Sequence, residues 1–451
     1  MSPLTIREVT LASNLSGAER RQAIGRIVRV SSGNFLEMYD FIVYGYYAIY
    51  ISEVFFPAGS QFASLMYSLM TFGAGYLMRP LGGLILGAYI DRYGRRKGLL
   101  FTLLLMAIGT LSIAVTPGYA SIGMLAPIII LIGRLLQGFS AGVELGGVSV
   151  YLAEIATPGN RGFYCSWQSA SQQVAVMFTA AIGILLTWRI PHQQMISWGW
   201  RIPFFVGCMI IPLLIWLIRS LEETEAYRKG HKPRSSAETF SLLLQNWQRI
   251  VVGMLLTILT TTAFYLITAY TPTFAQRAIH LSPTQSMVVT LCVGLSNFIW
   301  VPVGGLLSDR VGCRPTLIVL PAVFLLTAYP AMFWLVSATS MERLMMVELW
   351  YSLLFGLYNG AMIPFVIDLM PQKIRTAGLS LAYSTATATF GGFTPAVGTY
   401  LIQATGNRAA PALWLSCAAI LSLIAALAAG FFAAKAPAED AQSVPAGTRA
   451  N

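Results

Sequence analysis

Two acidic residues stand in the first long apolar stretch of the chain, which reads GNFLEMYDFIVYGYYAIYI from Gly33 to Ile51. Glu37 and Asp40 are three residues apart, so in a helix their carboxyl groups lie on one face, about 5–6 Å from each other. Two carboxylates this close in a poorly hydrated site cannot both ionise easily, and they titrate as a coupled pair. Such a pair could bind and release a proton. Alternatively, an ion pair with an arginine would only lock helices together.

Few other charged residues lie inside the apolar stretches. They are Arg79, Arg134 and Glu144, whereas Glu348 falls near the end of its stretch, so that all interior charges lie in the first half of the chain. A guanidinium group binds a carboxylate through two parallel hydrogen bonds. Arg79 and Arg134 are therefore candidate ligands for an anionic substrate, with helix-locking ion pairs as the alternative. Glu144 is a further candidate for the proton path.

Uncharged polar side chains extend the candidate substrate site. In the fifth apolar stretch Gln168, Ser171 and Gln172 fall on one helical face, which favours lining of a cavity over bonding between helices. In the second half of the chain, Tyr265 and Asn359 could donate hydrogen bonds to a substrate. Bonding between helices is the commoner role of such residues in membranes.

The composition indicates a membrane protein. The 451 residues are 56% hydrophobic and only 10% charged, whereas soluble proteins carry about 25% charged residues. Each apolar stretch is long enough to cross the ~30 Å hydrocarbon core as a helix. The sequence therefore predicts an all-α, polytopic membrane protein with twelve transmembrane helices in two six-helix halves. The twelve stretches lie at 31–56, 63–90, 97–117, 121–153, 163–188, 201–219, 249–275, 285–308, 315–337, 343–369, 377–404 and 411–434.

Lysine and arginine are distributed unevenly between the two sides of the predicted membrane. One side carries 22 of them and the other five. By the positive-inside rule, both termini are cytoplasmic. The net charge of +11 then follows from topology and not from nucleic-acid binding. No signal peptide is expected, because residues 1–30 are polar and basic.

Two polar loops repeat one another. GAYIDRYGRRKG begins at Gly87 and GLLSDRVGCRPT begins at Gly305, an offset of 218 residues. Two related halves with a site between them are expected of a transporter. Gly94 permits a left-handed backbone in the tight turn between two spans. The predicted divisions are an N-terminal tail (1–30), a six-helix bundle (31–219), a cytoplasmic linker (220–248), a second six-helix bundle (249–434) and a disordered tail (435–451).

These motifs carry a resemblance to a known family. The two loops and GRLLQGFSAG resemble the major facilitator superfamily, while GNFLEMYDF, MRPLGG, AGVELGG and RSLEETEAY resemble its metabolite:proton symporter family. SAGVELGGVSVYLAEIATPGNRGFY is most similar to the bacterial citrate–proton and tricarballylate–proton symporters of that family. The resemblance implies alternating access, with an organic anion and protons as partners. It also implies that the loop residues form gate contacts: Asp91, Arg92, Gly94, Arg95, Arg96, Asp309 and Arg310.

The resulting expectation is a monomeric, proton-coupled importer of citrate or tricarballylate. Moving each negative charge inward against the membrane potential costs about 2.3 kcal/mol per 100 mV, which co-transported protons offset. The alternatives are a carrier of α-ketoglutarate, shikimate or proline and betaine, a drug-extruding antiporter, or a transporter-like sensor. An enzyme is not expected, because the sequence has no nucleophile–base constellation. Neither a cofactor nor a metal site is predicted, and the five cysteines lack paired spacing.

Overall fold

The computed structural model describes residues 34–219 and 236–433, apart from residues 36, 94 and 143. Almost all of this backbone is helical, and no β-strand occurs within the described ranges. The all-α architecture predicted from the sequence is thereby confirmed. The predicted tails at 1–30 and 435–451 lie outside the described residues, as does the first part of the predicted linker at 220–248.

Six helical segments form the N-terminal half. They are α1 (residues 34–46 and Ala48–Phe55), α2 (Gln61–Leu77 and Arg79–Tyr93), α3 (Arg95–Val115), α4 (Leu125–Ser140 and Glu144–Glu154), α5 (Arg161–Arg189) and α6 (Ile202–Arg219). Short helices at Tyr119–Ile122 and His192–Ser197 lie in the connections on either side of α4 and α5.

Six further segments form the C-terminal half, after a helix at Ser236–Gln245 that lies within the predicted linker. They are α7 (Trp247–Tyr265, Leu266–Tyr270 and Thr271–Arg277), α8 (Pro283–Val311), α9 (Cys313–Ser337), α10 (Met341–Leu369), α11 (Arg375–Ala386, Thr387–Gly391 and Thr394–Thr405) and α12 (Pro411–Ala433). The middle pieces of α7 and α11 are π-helical turns. Each of the twelve predicted apolar stretches coincides with one segment.

Seven helices in the described part of the chain are by themselves long and apolar enough to cross a membrane. They are α2, α5, α7, α8, α9, α10 and α12. Several other segments are interrupted or shorter: α4, for example, is broken between Ser140 and Glu144. The described residues thus include one helical segment for each of the twelve predicted spans, although the segments differ in length and continuity.

Serine residues mark where three of the segments begin. Ser60 and Ser340 accept hydrogen bonds from the backbone two or three residues into α2 and α10, at 3.1 and 3.2 Å. Ser282 forms a reciprocal capping box with Gln285 at the start of α8. A serine oxygen satisfies a backbone N–H that has no partner inside the helix, which is why the sequence starts helices at these positions.

The repeated loops have matching structures. α2 ends at Tyr93 and α3 begins at Arg95, while α8 ends at Val311 and α9 begins at Cys313. Both boundaries are related by the same offset of 218 residues, with a single residue between the helices. In the second loop that residue is Gly312, whose φ of +94° lies in the region that favours glycine.

The two halves meet along α5 and α8, and α8 in turn packs along α10. A Cβ atom added to Gly305 would lie 2.5 Å from the carbonyl oxygen of Gly162, closer than real Cβ contacts. The backbones of the two halves therefore touch at this point because both residues are glycine. This contact lies near the end of α8 that carries the second repeated loop.

Candidate functional site

Four of the charged side chains predicted for the interior are buried between α1, α2 and α4. Glu37, Asp40, Arg79 and Arg134 are each at most 3% exposed to solvent. Burial of a charge is costly unless it is paired and hydrogen-bonded. The contacts of these four residues therefore define the candidate site.

Glu37 and Arg79 form a direct ion pair. Nη2 of Arg79 donates a hydrogen bond to Oε1 of Glu37 at 2.8 Å. Arg79 is positioned by a break in α2, which ends its first helix at Leu77 and starts its second at Arg79. In this conformation, Glu37 therefore forms the kind of ion pair that could hold two helices together, which was the alternative to a proton-carrying role.

Asp40 reaches Arg134 only through two uncharged side chains. Nη1 of Arg134 donates to Oε1 of Gln137 at 2.8 Å, and Nε2 of Gln137 donates to Oγ1 of Thr110 at 2.9 Å. Oγ1 of Thr110 then donates to Oδ2 of Asp40 at 2.7 Å. The other carboxyl oxygen of Asp40 accepts no hydrogen bond from the described residues. Neither Thr110 nor Gln137 was predicted from the sequence.

The ring of Phe41 lies between the two guanidinium groups. The central carbon of Arg79 is 4.5 Å from the ring centroid, and that of Arg134 is 4.7 Å from it. Arg134 also lies 4.7 Å from the ring of Tyr44. Cation–π contacts in a dry environment contribute about 2 kcal/mol each. Aromatic rings therefore hold both arginines in place without neutralising their charge.

Glycine residues bring α2 and α4 close enough to place the two arginines side by side. A Cβ atom on Gly138 would lie 1.6 Å from the carbonyl oxygen of Gly75, and one on Gly142 would lie 2.2 Å from that of Arg79. Only glycine fits at such distances, as in small-residue packing between membrane helices. The glycine row in α4 thus packs against the backbone that carries Arg79.

The predicted polar face of α5 adjoins the start of α1. Nδ2 of Asn34 donates to the carbonyl oxygen of Gln168 at 3.4 Å and to Oγ of Ser171 at 3.5 Å. Gln168 is fully buried, and its Nε2 has no hydrogen-bond partner among the described residues. Gln172 is 6% exposed. Because Asn34 precedes Glu37 by one helical turn, this face lies beside the acidic end of α1.

The C-terminal half contributes Tyr265 and Asn359. The ring of Tyr265 is 5.1 Å from that of Tyr76, and Tyr265 lies close enough to Arg79 to interact with it electrostatically. The structure therefore brings Tyr265 to the charged cluster of the other half. Asn359 is 1% exposed, and its Oδ1 has no partner within the described ranges. Within the described part of the chain, Oδ1 of Asn359 thus forms no hydrogen bond with the charged cluster.

A second polar network, centred on Asn297, links the halves. Nδ2 of Asn297 in α8 donates to Oε1 of Gln173 in α5 at 3.2 Å, and Oγ of Ser352 in α10 donates to Oδ1 of Asn297 at 2.6 Å. Gln173 directly follows Gln172 in the sequence. Helical periodicity led to the selection of Gln172 as a predicted cavity-lining residue, but it did not indicate that Gln173 bonds to Asn297.

One buried acid lies in the C-terminal half. Glu348 is seven residues beyond the start of α10 and 4% exposed. Its Oε1 accepts a hydrogen bond from Oγ1 of Thr271 at 3.0 Å. The expectation that interior charges are confined to the first half is therefore wrong. Hydropathy placed Glu348 near a span end because it locates such ends only to within several residues.

Ionic contacts join the halves at both ends of the bundle. Oδ1 and Oδ2 of Asp309 accept hydrogen bonds from the backbone N–H groups of Gly162 and Phe163, at 2.6 and 2.9 Å. Arg161 pairs with Asp368 at 2.6 Å. At the opposite end, Nη2 of Arg277 donates to Oε1 of Glu53 at 3.1 Å.

Several predicted residues cannot be placed in these contacts. Gly94 lies outside the described residues. For five further residues the structure describes the backbone but not the side chain: Asp91, Arg92, Arg95, Arg96 and Glu144. Arg310 is exposed at the end of α8.

The charged cluster is closed in this conformation. A cavity of about 580 Å³ lies among the end of α1 and the connections that follow α3 and α5, with Glu53, Tyr119 and Arg201 among its lining residues. None of the predicted substrate-binding residues lines it. Since both arginines are almost fully buried, a substrate could reach them only after the halves move apart.

Comparison with known proteins identifies the family. A model described as the Major Facilitator Superfamily matches residues 30–388. The chain belongs to the major facilitator superfamily. It is 54% identical over 416 residues to a citrate-proton symporter of Salmonella typhi, covering 92% of this chain and 96% of that one. It is 55% identical over 402 residues to a citrate-proton symporter of Klebsiella pneumoniae, covering 89% and 90%.

Solved structures support the same fold. The crystal structure of a D-xylose-proton symporter superposes with a TM-score of 0.72 at 18% sequence identity, covering 91% of this chain and 98% of that one. The resemblance deduced from the sequence motifs is therefore confirmed, as is the fold of a multi-pass membrane transporter. Among the described residues of this facilitator-superfamily protein, no group of three or more histidine, cysteine, aspartate or glutamate side chains could hold a metal ion.

Proposed function

We propose that this protein is a proton-coupled symporter that imports citrate, or a closely related tricarboxylate, across a bacterial inner membrane by alternating access. The observation that carries the proposal is the pair of buried guanidinium groups in contact with Phe41, of which only Arg79 has a direct carboxylate partner among the described side chains. The two citrate-proton symporters that are 54% and 55% identical to this chain over the aligned residues support it.

The charges of the site suit a substrate with several carboxylates. Arg134 donates to Gln137 and to the carbonyl oxygen of Phe72, at 2.8 and 3.4 Å, and these acceptors are neutral. A substrate carboxylate would provide the paired acceptor that a guanidinium prefers. A second carboxylate of the same substrate would bind Arg79. A zwitterion such as betaine offers only one carboxylate to the two cations.

Proton coupling follows from competition for Arg79. While Glu37 is ionised, it occupies the arginine that the substrate needs, at 2.8 Å. Protonation of Glu37 removes the negative charge from that pair and releases the guanidinium for a substrate carboxylate. Proton binding and substrate binding are then favourable together and unfavourable separately. Asp40 couples to the second arginine indirectly, through the hydrogen bonds of Thr110 and Gln137.

The finer features expected from the sequence complete the proposal. The excess of lysine and arginine in alternate connections supports cytoplasmic termini. Gln168, Ser171, Gln172, Tyr265 and Asn359 are proposed to hydrogen-bond the substrate once the site opens. The loop residues around Asp91 and Asp309 are proposed as gate contacts, and the monomer is proposed as the transport unit.

Uptake by proteoliposomes tests the substrate and the coupling. With an inwardly directed proton gradient, labelled citrate should accumulate above its external concentration, and collapse of the gradient by a protonophore should abolish the accumulation. Unlabelled tricarballylate, α-ketoglutarate, shikimate and betaine serve as competitors. Gradient-driven uptake of labelled betaine or α-ketoglutarate in the absence of any uptake of labelled citrate would assign a different substrate. Gradient-independent equilibration of citrate would exclude proton coupling.

A further inference from the structure

Glu348 is a buried acid that the proposed binding of substrate leaves without a role. Within the described chain it has one hydrogen-bond donor, the hydroxyl group of Thr271 at 3.0 Å, and its Oε2 has no partner. The titratable neighbour on α10 is Tyr351, whose hydroxyl group donates instead to the carbonyl oxygen of Ala328 at 2.5 Å. The contact with Thr271 comes from α7.

No cation neutralises Glu348 among the described residues. The two buried arginines, Arg79 and Arg134, belong to the other half of the protein, and none of the described ion pairs involves Glu348. An ionised carboxylate inside a membrane protein normally faces a cation or a water-filled cavity. One hydroxyl donor satisfies only part of the hydrogen-bonding capacity of a carboxylate, whereas a neutral carboxylic acid needs fewer partners.

The donor of Glu348 lies on the same short piece of helix as an inter-half ion pair. Thr271 starts the last helix of α7, directly after the π-helical turn Leu266–Tyr270, and Arg277 ends it. Arg277 holds Glu53 of α1 at 3.1 Å. A π-turn is a local irregularity at which a helix can adjust its geometry. Separation of Arg277 from Glu53 would therefore also move Thr271 away from Glu348.

We propose that Glu348 is a second proton-carrying site, in the C-terminal half, which exchanges its proton when the ion pair between Glu53 and Arg277 opens. The inference rests on the proposed proton-coupled transport and deepens it. In the closed conformation the side chain is neutral and accepts the hydrogen bond from Thr271. One proton per transport cycle then travels on Glu348, in addition to any proton carried on α1.

Glu348→Gln provides the test, because glutamine matches a neutral glutamic acid in size and can still accept the bond from Thr271. Glu342→Gln is the matched control, since Glu342 is exposed on the same helix. The infrared spectrum of the purified, substrate-free protein should contain the C=O band of a protonated carboxyl group. This band should shift in D₂O. It should be lost in the Glu348→Gln variant and retained in the Glu342→Gln variant. A band unchanged by Glu348→Gln, or one insensitive to D₂O, would overturn the proposal.

Transport provides the second measurement. With the membrane potential clamped at zero and a pH gradient of one unit, each coupled proton raises the limiting accumulation of citrate about tenfold. Glu348→Gln should therefore lower that limit about tenfold, and Glu342→Gln should not. An unchanged limit overturns the proposal even if the infrared band is lost, because the proton would then be static. Failure of the unmodified protein to accumulate citrate would instead contradict the proposed function, while the infrared measurement still tests Glu348.

Discussion

Glu37 and Asp40 reach the two buried arginines in different ways, although they lie on the same helix. Glu37 contacts Arg79 directly at 2.8 Å, whereas Asp40 is separated from Arg134 by Thr110 and Gln137. Protonation of Glu37 therefore frees an arginine at once, while protonation of Asp40 acts through a chain of hydrogen bonds. In the proposed mechanism, the first carboxylate controls substrate binding directly and the second adjusts it.

Replacement of each carboxylate by its amide separates proton coupling from a structural role. Glu37→Gln keeps the size of the side chain but removes the titratable proton. If Glu37 carries a coupling proton, the variant should lose gradient-driven accumulation of citrate yet retain exchange of citrate across de-energised vesicles, since exchange moves no net proton. Accumulation and counterflow are measured side by side at matched protein levels. Asp40→Asn, measured in parallel, should lower accumulation less, because Asp40 does not contact an arginine directly.

A different outcome would assign Glu37 to helix locking. Loss of the ion pair would then leave Arg79 buried without an anion, which destabilises a protein by about 3–5 kcal/mol. Accumulation, counterflow and the amount of protein in the membrane would fall together. Full accumulation by both amide variants would contradict a proton role for either carboxylate.

The residues of the site were predictable from the sequence, but their partners were not. An acid or an arginine inside an apolar stretch is conspicuous, so Glu37 and Arg134 could be selected without a structure. The helix against which each of these side chains packs is determined by contacts between segments that are distant in sequence. Thr110 and Gln137 look like ordinary polar residues of membrane helices, so only the structure distinguishes them as the link to Asp40.

At the scale of the helical segments, the start of α5 is the point where several contacts converge. Its first backbone N–H groups point at the carboxylate of Asp309, and its first residue, Arg161, pairs with Asp368. A helix N-terminus carries a partial positive charge, which stabilises a nearby anion. These contacts hold α5 against the C-terminal half at the end of the bundle where the repeated loops lie.

Asp309→Asn should loosen this end of the protein, and a native thiol can report the change. Cys165 lies one helical turn beyond Arg161 and is completely buried. Loss of a charged acceptor for two N–H groups costs about 1.5 kcal/mol, which corresponds to roughly a tenfold larger open population. The rate at which a membrane-permeant maleimide labels Cys165 should rise about tenfold, measured by mass spectrometry of the labelled peptide.

Two further variants make that labelling experiment decisive. Glu154→Gln, which changes an exposed acid at the end of α4, should leave the rate unchanged. Cys165→Ser should abolish the signal and so confirm the labelled position. Equal labelling rates for Asp309→Asn and the unmodified protein would show that the contact with α5 does not restrain opening.

The order of the segments was predictable, whereas their irregularities were not. Long apolar runs predict spans well because lipid demands them over the full thickness of the bilayer. The π-turn at Leu266–Tyr270 contains neither glycine nor proline, the residues that usually signal a change in helical geometry. Its position depends on what packs around α7, which the local sequence does not specify.

At the scale of the whole molecule, the two halves share a fold but differ in charge. The helices that flank the repeated loops end and begin at matching positions, 218 residues apart. Among the described residues, the buried arginines lie in the first half together with the acids Glu37 and Asp40, whereas the second half has the buried acid Glu348 and no buried arginine. Ion pairs close the space between the halves at both ends. Alternating access then requires that the two sets of contacts open one at a time, since the proposed substrate site lies between them.

The side of the membrane that each set of contacts faces depends on the orientation of the whole chain. The linker around Gly230 is among the most basic parts of the sequence, and the C-terminal tail is also basic at its ends. Basic connections remain in the cytoplasm during insertion. Fusions of a cytoplasm-active fluorescent reporter at Gly230 and after Asn451 should therefore both be fluorescent. A periplasm-active phosphatase at the same positions should be inactive.

The connection between α5 and α6 supplies the opposite control. It contains Pro191 and the short helix His192–Ser197, and it lies on the side that carries only five lysine and arginine residues. A phosphatase fused at Pro191 should be active, and a fluorescent reporter there should be dark. Phosphatase activity at Gly230 would reverse the topology. The ion pair between Glu53 and Arg277 would then face the cytoplasm, and Glu348 would exchange its proton with the cell interior.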